Sequence, residues 1–380
     1  MFRCSRIALL GLVLTAGVGS AADLDKLPAN TWTPIQPTTV QPEAADEKGQ
    51  WMNVGWNKLV YDAAGQRVLY YDRWHDKKHG GTTIYGNCLF SFDPATTKLV
   101  PLRIDHWGRE STPSGGYRTV PLPENDQEPT PCPRHVYHAF DYVPELKAVF
   151  ICNGANQSAM FKGEVLGHKL CTDTWRLDVD KKTWSKLASE AHPANQLEHG
   201  MAYCPATKSI IYAGHDKLWI LDLEKGQWRK AKSELPRSHM GMSVHYDPAR
   251  KRILLAGGGA YGKWQTKAGG FNALYAFDPI TEQVTKLADC PTALCRAALA
   301  YIPKHDLFVT VAAFQGEGIE QPSGMFAYHG ATDRWQQLKP TNALPWDKGW
   351  LPLCYDSQHD CLIGMVKTTF YAFRYAPAKD

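Results

Sequence analysis

Residues 245–259 read His-Tyr-Asp-Pro-Ala-Arg-Lys-Arg-Ile-Leu-Leu-Ala-Gly-Gly-Gly. The tyrosine ends an extended run, Asp247-Pro248 opens a turn, and residues 252–256 form a short apolar run that stops at glycines. Turn residues between two β-rich runs read as a pair of short antiparallel strands. The unit recurs five more times, as Val60-Tyr61-Asp62-Ala63, Asp141-Tyr142-Val143-Pro144, Ala202-Tyr203-Cys204-Pro205, Ala300-Tyr301-Ile302-Pro303 and Cys354-Tyr355-Asp356-Ser357. An apolar run follows each, at 67–71, 147–152, 209–213, 307–311 and 361–366. The six tyrosines lie 43 to 81 residues apart, which is room for four short strands in each copy.

A second signature supplies the other two strands. Leu89-Phe90-Ser91-Phe92-Asp93 aligns with Thr174-Trp175-Arg176-Leu177-Asp178, Leu218-Trp219-Ile220-Leu221-Asp222 and Leu274-Tyr275-Ala276-Phe277-Asp278. Met325-Phe326-Ala327-Tyr328 and Phe370-Tyr371-Ala372-Phe373 complete the set. A polar turn follows, and Trp184, Trp228 or Trp335 opens a fourth strand, with Leu99 and Val284 in two other copies. Four-stranded sheets with two apolar faces cannot stand alone, so the copies pack face to face around an axis. The sixth copy lacks a fourth strand, and Thr31-Trp32-Thr33-Pro34-Ile35 has the missing pattern. The expectation is an all-β, six-bladed β-propeller with blades near 51–103, 134–188, 196–233, 237–288, 294–339 and 347–376. An N-terminal outer strand at 31–36 closes its ring.

The chain resembles the kelch-repeat family in the glycine pair Gly257-Gly258 after the second strand and in the spaced aromatic and Trp. The pair is reduced to Asn153-Gly154 and Ala213-Gly214 in blades two and three. The resemblance covers nearly all of residues 31–376 and implies a propeller that binds ligands through its loops.

Composition agrees with one globular unit, at 44% hydrophobic and 21% charged residues. Arg3 and Arg6, an uncharged stretch at 7–18 and Ser20-Ala21-Ala22 read as a signal peptide over residues 1–22, leaving 23–380 as a single domain. The protein is therefore expected to be exported, secreted or periplasmic, with no membrane attachment after cleavage. Loss of the two arginines takes the formal charge from +4 to +2, which argues against nucleic-acid partners. Cys4 leaves with the signal, so nine of ten cysteines remain. Cys152 with Cys171, Cys290 with Cys295, and Cys354 with Cys361 are candidate pairs.

The long segments 73–86, 103–133, 153–172, 259–272 and 314–324 all map to one face of a propeller. Long connections gathered on one face point to function. They carry Trp74, Trp107 and Trp264, with Trp350 in the last inter-blade connection; flat aromatics with polar tips suit sugar rings or a peptide. Arg134, Arg237 and Arg296 stand where inner strands begin, placed to bind an anion or to link blades. His135, His138, His199 and His239 collect near the same strands, as metal ligands, proton carriers or structural groups.

Three functions fit. The first is a binding module for a carbohydrate, acidic or neutral, or for a peptide or protein, without cofactor. The second is an enzyme on acidic sugars at the channel mouth, with His138, His199 or Tyr137 moving a proton. The layout is similar to that of the periplasmic sialic-acid epimerases, and propeller lyases share the idea. The third is a copper radical oxidase, because Tyr137-His138 resembles the Tyr-His pair of galactose-oxidase relatives. Zinc at the histidines is the remaining metal option.

Overall fold

The computed structural model describes residues 23–39, 58–79, 82–111, 117–121, 129–156, 160–161, 164–165, 169–194, 199–259, 272–294, 297–312, 324–345, 352–366 and 369–377. They form six four-stranded antiparallel blades in a ring. No helix among them is long and apolar enough to cross a membrane. The segment read as a signal peptide lies outside the described residues.

Alternation along each strand builds the ring. Val68 and Tyr70 enter an apolar cluster with blade six, whereas Leu69 and Tyr71 enter one with blade two. Successive β residues point to opposite faces, so each blade serves two neighbours. Six such clusters fill the six interfaces. Burial of one large side chain, such as Phe92 or Ile363, contributes roughly 1.5–3 kcal/mol. The fourth-strand position always packs backwards. Trp184 donates Nε1 to Asp105 of blade one, Trp228 to Thr174 of blade two, and Trp335 to the Ala288 carbonyl behind blade four.

The turns repeat as well. Between inner and second strands, blades two, three and five use one-turn 3-10 helices, Pro144–Leu146, Pro205–Thr207 and Pro303–His305. Proline begins each because its fixed φ suits the turn and its missing N–H is not needed there. In blades one, four and six an aspartate caps the turn. Asp62 and Asp247 accept backbone N–H groups and the Nε of Arg67 and Arg252, and Asp356 accepts from Gln358 and His359. Every one of these turns ends on a left-handed residue: Gln66, Lys147, Lys208, Lys251, Asp306 or Asp360.

The N-terminal segment closes the ring as expected. Trp32–Ile35 pairs antiparallel with Thr369–Phe373, with Trp32 opposite Phe373. Trp32 is 2% exposed and lies against blade five, the same backward packing as the other tryptophans. The segment then goes further than its sequence suggests. Thr38–Thr39 pairs parallel with the outer strand of blade one, and Thr38 N donates to Thr97 O at 2.7 Å. One stretch of chain therefore fastens blade six and covers an edge of blade one.

Three of the long segments read as connections, 73–86, 103–133 and 153–172, contain β-ribbons. In blade one, Arg67–His79 and Thr82–Asp93 stay paired up to His79 opposite Thr82, and Lys98–Ser111 continues with Tyr117–Pro121. In blade two, Ala155–Asn156 pairs with Lys169–Leu170, and Met160–Phe161 with Glu164–Val165. Alternation in such ribbons does not face a core, so apolar periodicity cannot reveal them. The expected break between blades three and four is also absent. Gln227–Asp247 runs unbroken from the outer edge of one to the inner edge of the next.

Trp32→Ala is expected to destabilise the protein by about 3–5 kcal/mol in urea unfolding, as for other buried tryptophan truncations. Ile280→Ala, at the most exposed large apolar side chain among the described residues (70%), is the control and should move stability by about 0.5 kcal/mol or less. Equal effects would refute a closing role for the Trp32 strand.

Candidate functional site

The starts of the inner strands meet at the top of the central channel, and their polar side chains are engaged with one another. His138 N donates to His199 O at 3.1 Å, and Met201 N donates back to His138 O at 3.0 Å, which joins blades two and three. Tyr137, left-handed at φ 56°, turns the chain into this bridge. Ser243 of blade four donates to the Ala297 carbonyl of blade five at 2.6 Å, so its oxygen accepts from His138 Nδ1 at 3.0 Å. His199 Nδ1 accepts from the Tyr212 hydroxyl, which itself accepts from Asn153 Nδ2 at 2.9 Å. His135 is buried, with its ring centroid 6.1 Å from that of Tyr137. Gly154 lies so close beneath it that a β-carbon there would stand 2.5 Å from His135 O, which is why glycine follows Asn153.

Arg134 is not presented at the channel mouth. It is 1% exposed, and its guanidinium is held by the Asp173 carboxylate, by the Asn153 carbonyl at 3.3 Å and by Cys132. A buried, paired arginine of this kind holds blade two together. The side chains of Arg237, His239, Trp74 and Trp107 lie outside what the structure describes, as do residues Trp264, Arg296 and Trp350 altogether.

Deeper in the channel is a cavity of about 330 Å³. All six repeat tyrosines line it, together with Pro144 and Pro205, so it faces the short-turn side rather than the long connections. Each tyrosine is also wedged into the interface with the preceding blade, Tyr142 against blade one and Tyr203 against blade two. Lys58, Asp141 and His245 form the polar wall. Lys58 Nζ lies 3.0 Å from Asp141 Oδ2 and donates to Met201 O at 3.1 Å. Asp141 accepts from Tyr203 N at 2.8 Å, and His245 Nε2 accepts from Leu299 N at 3.0 Å. Asp141 and His245 thus do the same work, each linking its inner strand to the next blade.

Lys58, Asp141, Ser243 and His245 were not among the residues expected from sequence. A signal existed for two of them. The position before each repeat tyrosine is Val60, Ala202, Ala300 or Cys354 elsewhere, and polar only at Asp141 and His245. Among the described residues no three His, Cys, Asp or Glu side chains converge as a metal would require. The expected cysteine pairs also change. Cys171 faces Cys132, not Cys152, which lies in the core against Thr174. Cys354 and Cys361 share one apolar cluster with both thiols free. Cys290 is buried, and Cys295 lies outside the described residues.

No protein-family model matches this chain, and no curated protein matches it by sequence.

Burial, and then the charges of Lys58 and His138, hold the His245 imidazole well below its usual range. The folded state binds that proton more weakly than the unfolded chain does. Stability is therefore complete above about pH 6.5 and falls below it by roughly 1.4 kcal/mol per pH unit. His245→Gln keeps an acceptor for Leu299 N and removes the titration. Urea unfolding between about pH 7.5 and 5.5 should show a shallower slope for this variant. Parallel slopes would assign the loss to other groups.

Proposed function

We propose that this protein is an exported binding module of kelch type that holds a carbohydrate, acidic or neutral, on the face carrying the long connections. The observation that supports this most is the ribbon of blade one. Extended pairing sets His75, Tyr85 and Trp107 opposite one another across three strands, and Trp74, Gly86 and His106 in the adjacent row, on the other face of the ribbon. Polar aromatics fixed on a β-ribbon lose little freedom when a ligand binds, and they offer both a flat face and a hydrogen-bonding tip.

Binding is favoured over proton transfer by the state of the histidines. His138 and His199 are held in hydrogen bonds that join strands and blades, and Arg134 is closed off by Asp173. Groups engaged this way support the scaffold. Arg237 and Arg296 are the arginines proposed to meet an acidic sugar. A peptide or protein ligand would use the same platform, and a glycan array against a peptide library separates the two.

Trp74→Ala with Trp107→Ala should weaken binding of an array-selected glycan by at least about tenfold, roughly 1.4 kcal/mol. Thermal stability should change little. Arg237→Ala with Arg296→Ala should weaken acidic glycans selectively. Unchanged titration calorimetry for both double variants would remove the long-connection face as the site. Stoichiometric copper in protein purified without chelator would instead favour the oxidase.

A further inference from the structure

Cys132 lies in the connection leading into blade two, and Cys171 stands just before that blade's third strand, Thr174–Asp178. They are 39 residues apart in sequence, yet their sulfurs are 3.0 Å apart. The surroundings single the pair out. Arg134 donates Nη2 to Cys132 Sγ at 3.2 Å and Nε to Cys132 O at 3.0 Å, while Asp173 fixes the guanidinium from the other side. The Cys171 backbone is anchored by its N–H to Gly154 O at 3.0 Å. Cys132 is partly exposed, unlike the core cysteines.

The electrostatics follow the geometry. The hydrogen bond from Cys171 lowers the Cys132 thiol below its ordinary range, with Arg134 adding to it and burial opposing. Cys171, the donor, is pushed up. Burial raises Cys152 and Cys290 to about 12, and Cys354 and Cys361 also rise. A thiolate beside a guanidinium is the nucleophile in disulfide exchange, whereas buried neutral thiols are inert.

We propose that Cys132 and Cys171 form a reversible, redox-active disulfide, with Cys132 as the attacking sulfur and an external disulfide as oxidant. The Cys132 thiolate attacks one sulfur of a small-molecule or protein disulfide, giving a mixed disulfide and expelling one thiolate. That thiolate takes the Cys171 proton. The Cys171 sulfur then attacks Cys132 Sγ and expels the second thiolate, which takes a proton from water. The external disulfide is reduced to two thiols and the cysteine pair is oxidised by two electrons. The bond would tie the connection between blades one and two to the long connection of blade two.

The test equilibrates the full folded chain with glutathione and glutathione disulfide, traps free thiols with N-ethylmaleimide and maps the peptides. Expected are a Cys132–Cys171 linked peptide, a mass loss of about 2 Da, and full recovery of both thiols with excess dithiothreitol. Cys132→Ser should abolish the link without creating another. Iodoacetamide labelling of Cys132 in the reduced protein should be half-maximal at a lower pH than for an ordinary cysteine thiol, and Cys171→Ala should move that midpoint upward. A Cys152–Cys171 link would overturn the proposal. So would thiols that stay alkylatable in the most oxidising buffer, or a bond that excess dithiothreitol leaves intact in the folded protein.

Discussion

The fold depends on each blade reaching back over the face of the blade before it. The reach is made near the axis by the inner-strand tyrosine and at the rim by the fourth-strand tryptophan or its apolar substitute. Both ends of the interfaces are thus filled by apolar side chains, and the indole N–H groups of Trp184 and Trp228 find acceptors on the neighbour. Such an arrangement has no natural end. Five interfaces form between blades consecutive in the chain, while the sixth must join blade six to blade one. The N-terminal strand resolves this by giving blade six its Trp32 and then continuing along the edge of blade one.

The same demand organises the polar residues of the channel. Inner strands converge toward the axis, and their backbone groups need partners that an ordinary sheet ladder does not supply. Asp141 and His245 reach from one blade to a backbone N–H of the next, and Ser243 to a carbonyl. Lys58 compensates the Asp141 charge. A polar channel wall in this protein is largely the means by which the strands are held in register. His138, His199 and His245 are engaged in that work.

The binding proposed for this protein lies outside this framework, on the ribbons that prolong blades one and two. Cys132 and Cys171 sit where such a ribbon meets the ring. A covalent link there would act on the base of the long connection and leave the blade core untouched. Ligand binding and thiol chemistry would then share a face without sharing residues.

The repeat, the blade count and the closing strand were legible in sequence. Period-two alternation around Tyr61, Tyr142, Tyr203, Tyr246, Tyr301 and Tyr355 leaves two apolar faces per sheet, and only a closed ring buries them all. Trp32 was readable for the same reason, being a fourth-strand tryptophan without a blade of its own. The meeting of Arg134 with Asp173, of Lys58 with Asp141 and of Cys132 with Cys171 was decided by tertiary structure alone. Each pair spans two connections or two blades, and sequence spacing does not encode such distances. Local alternation fixes which way a side chain points relative to its own sheet; only the closed ring fixes what it finds there.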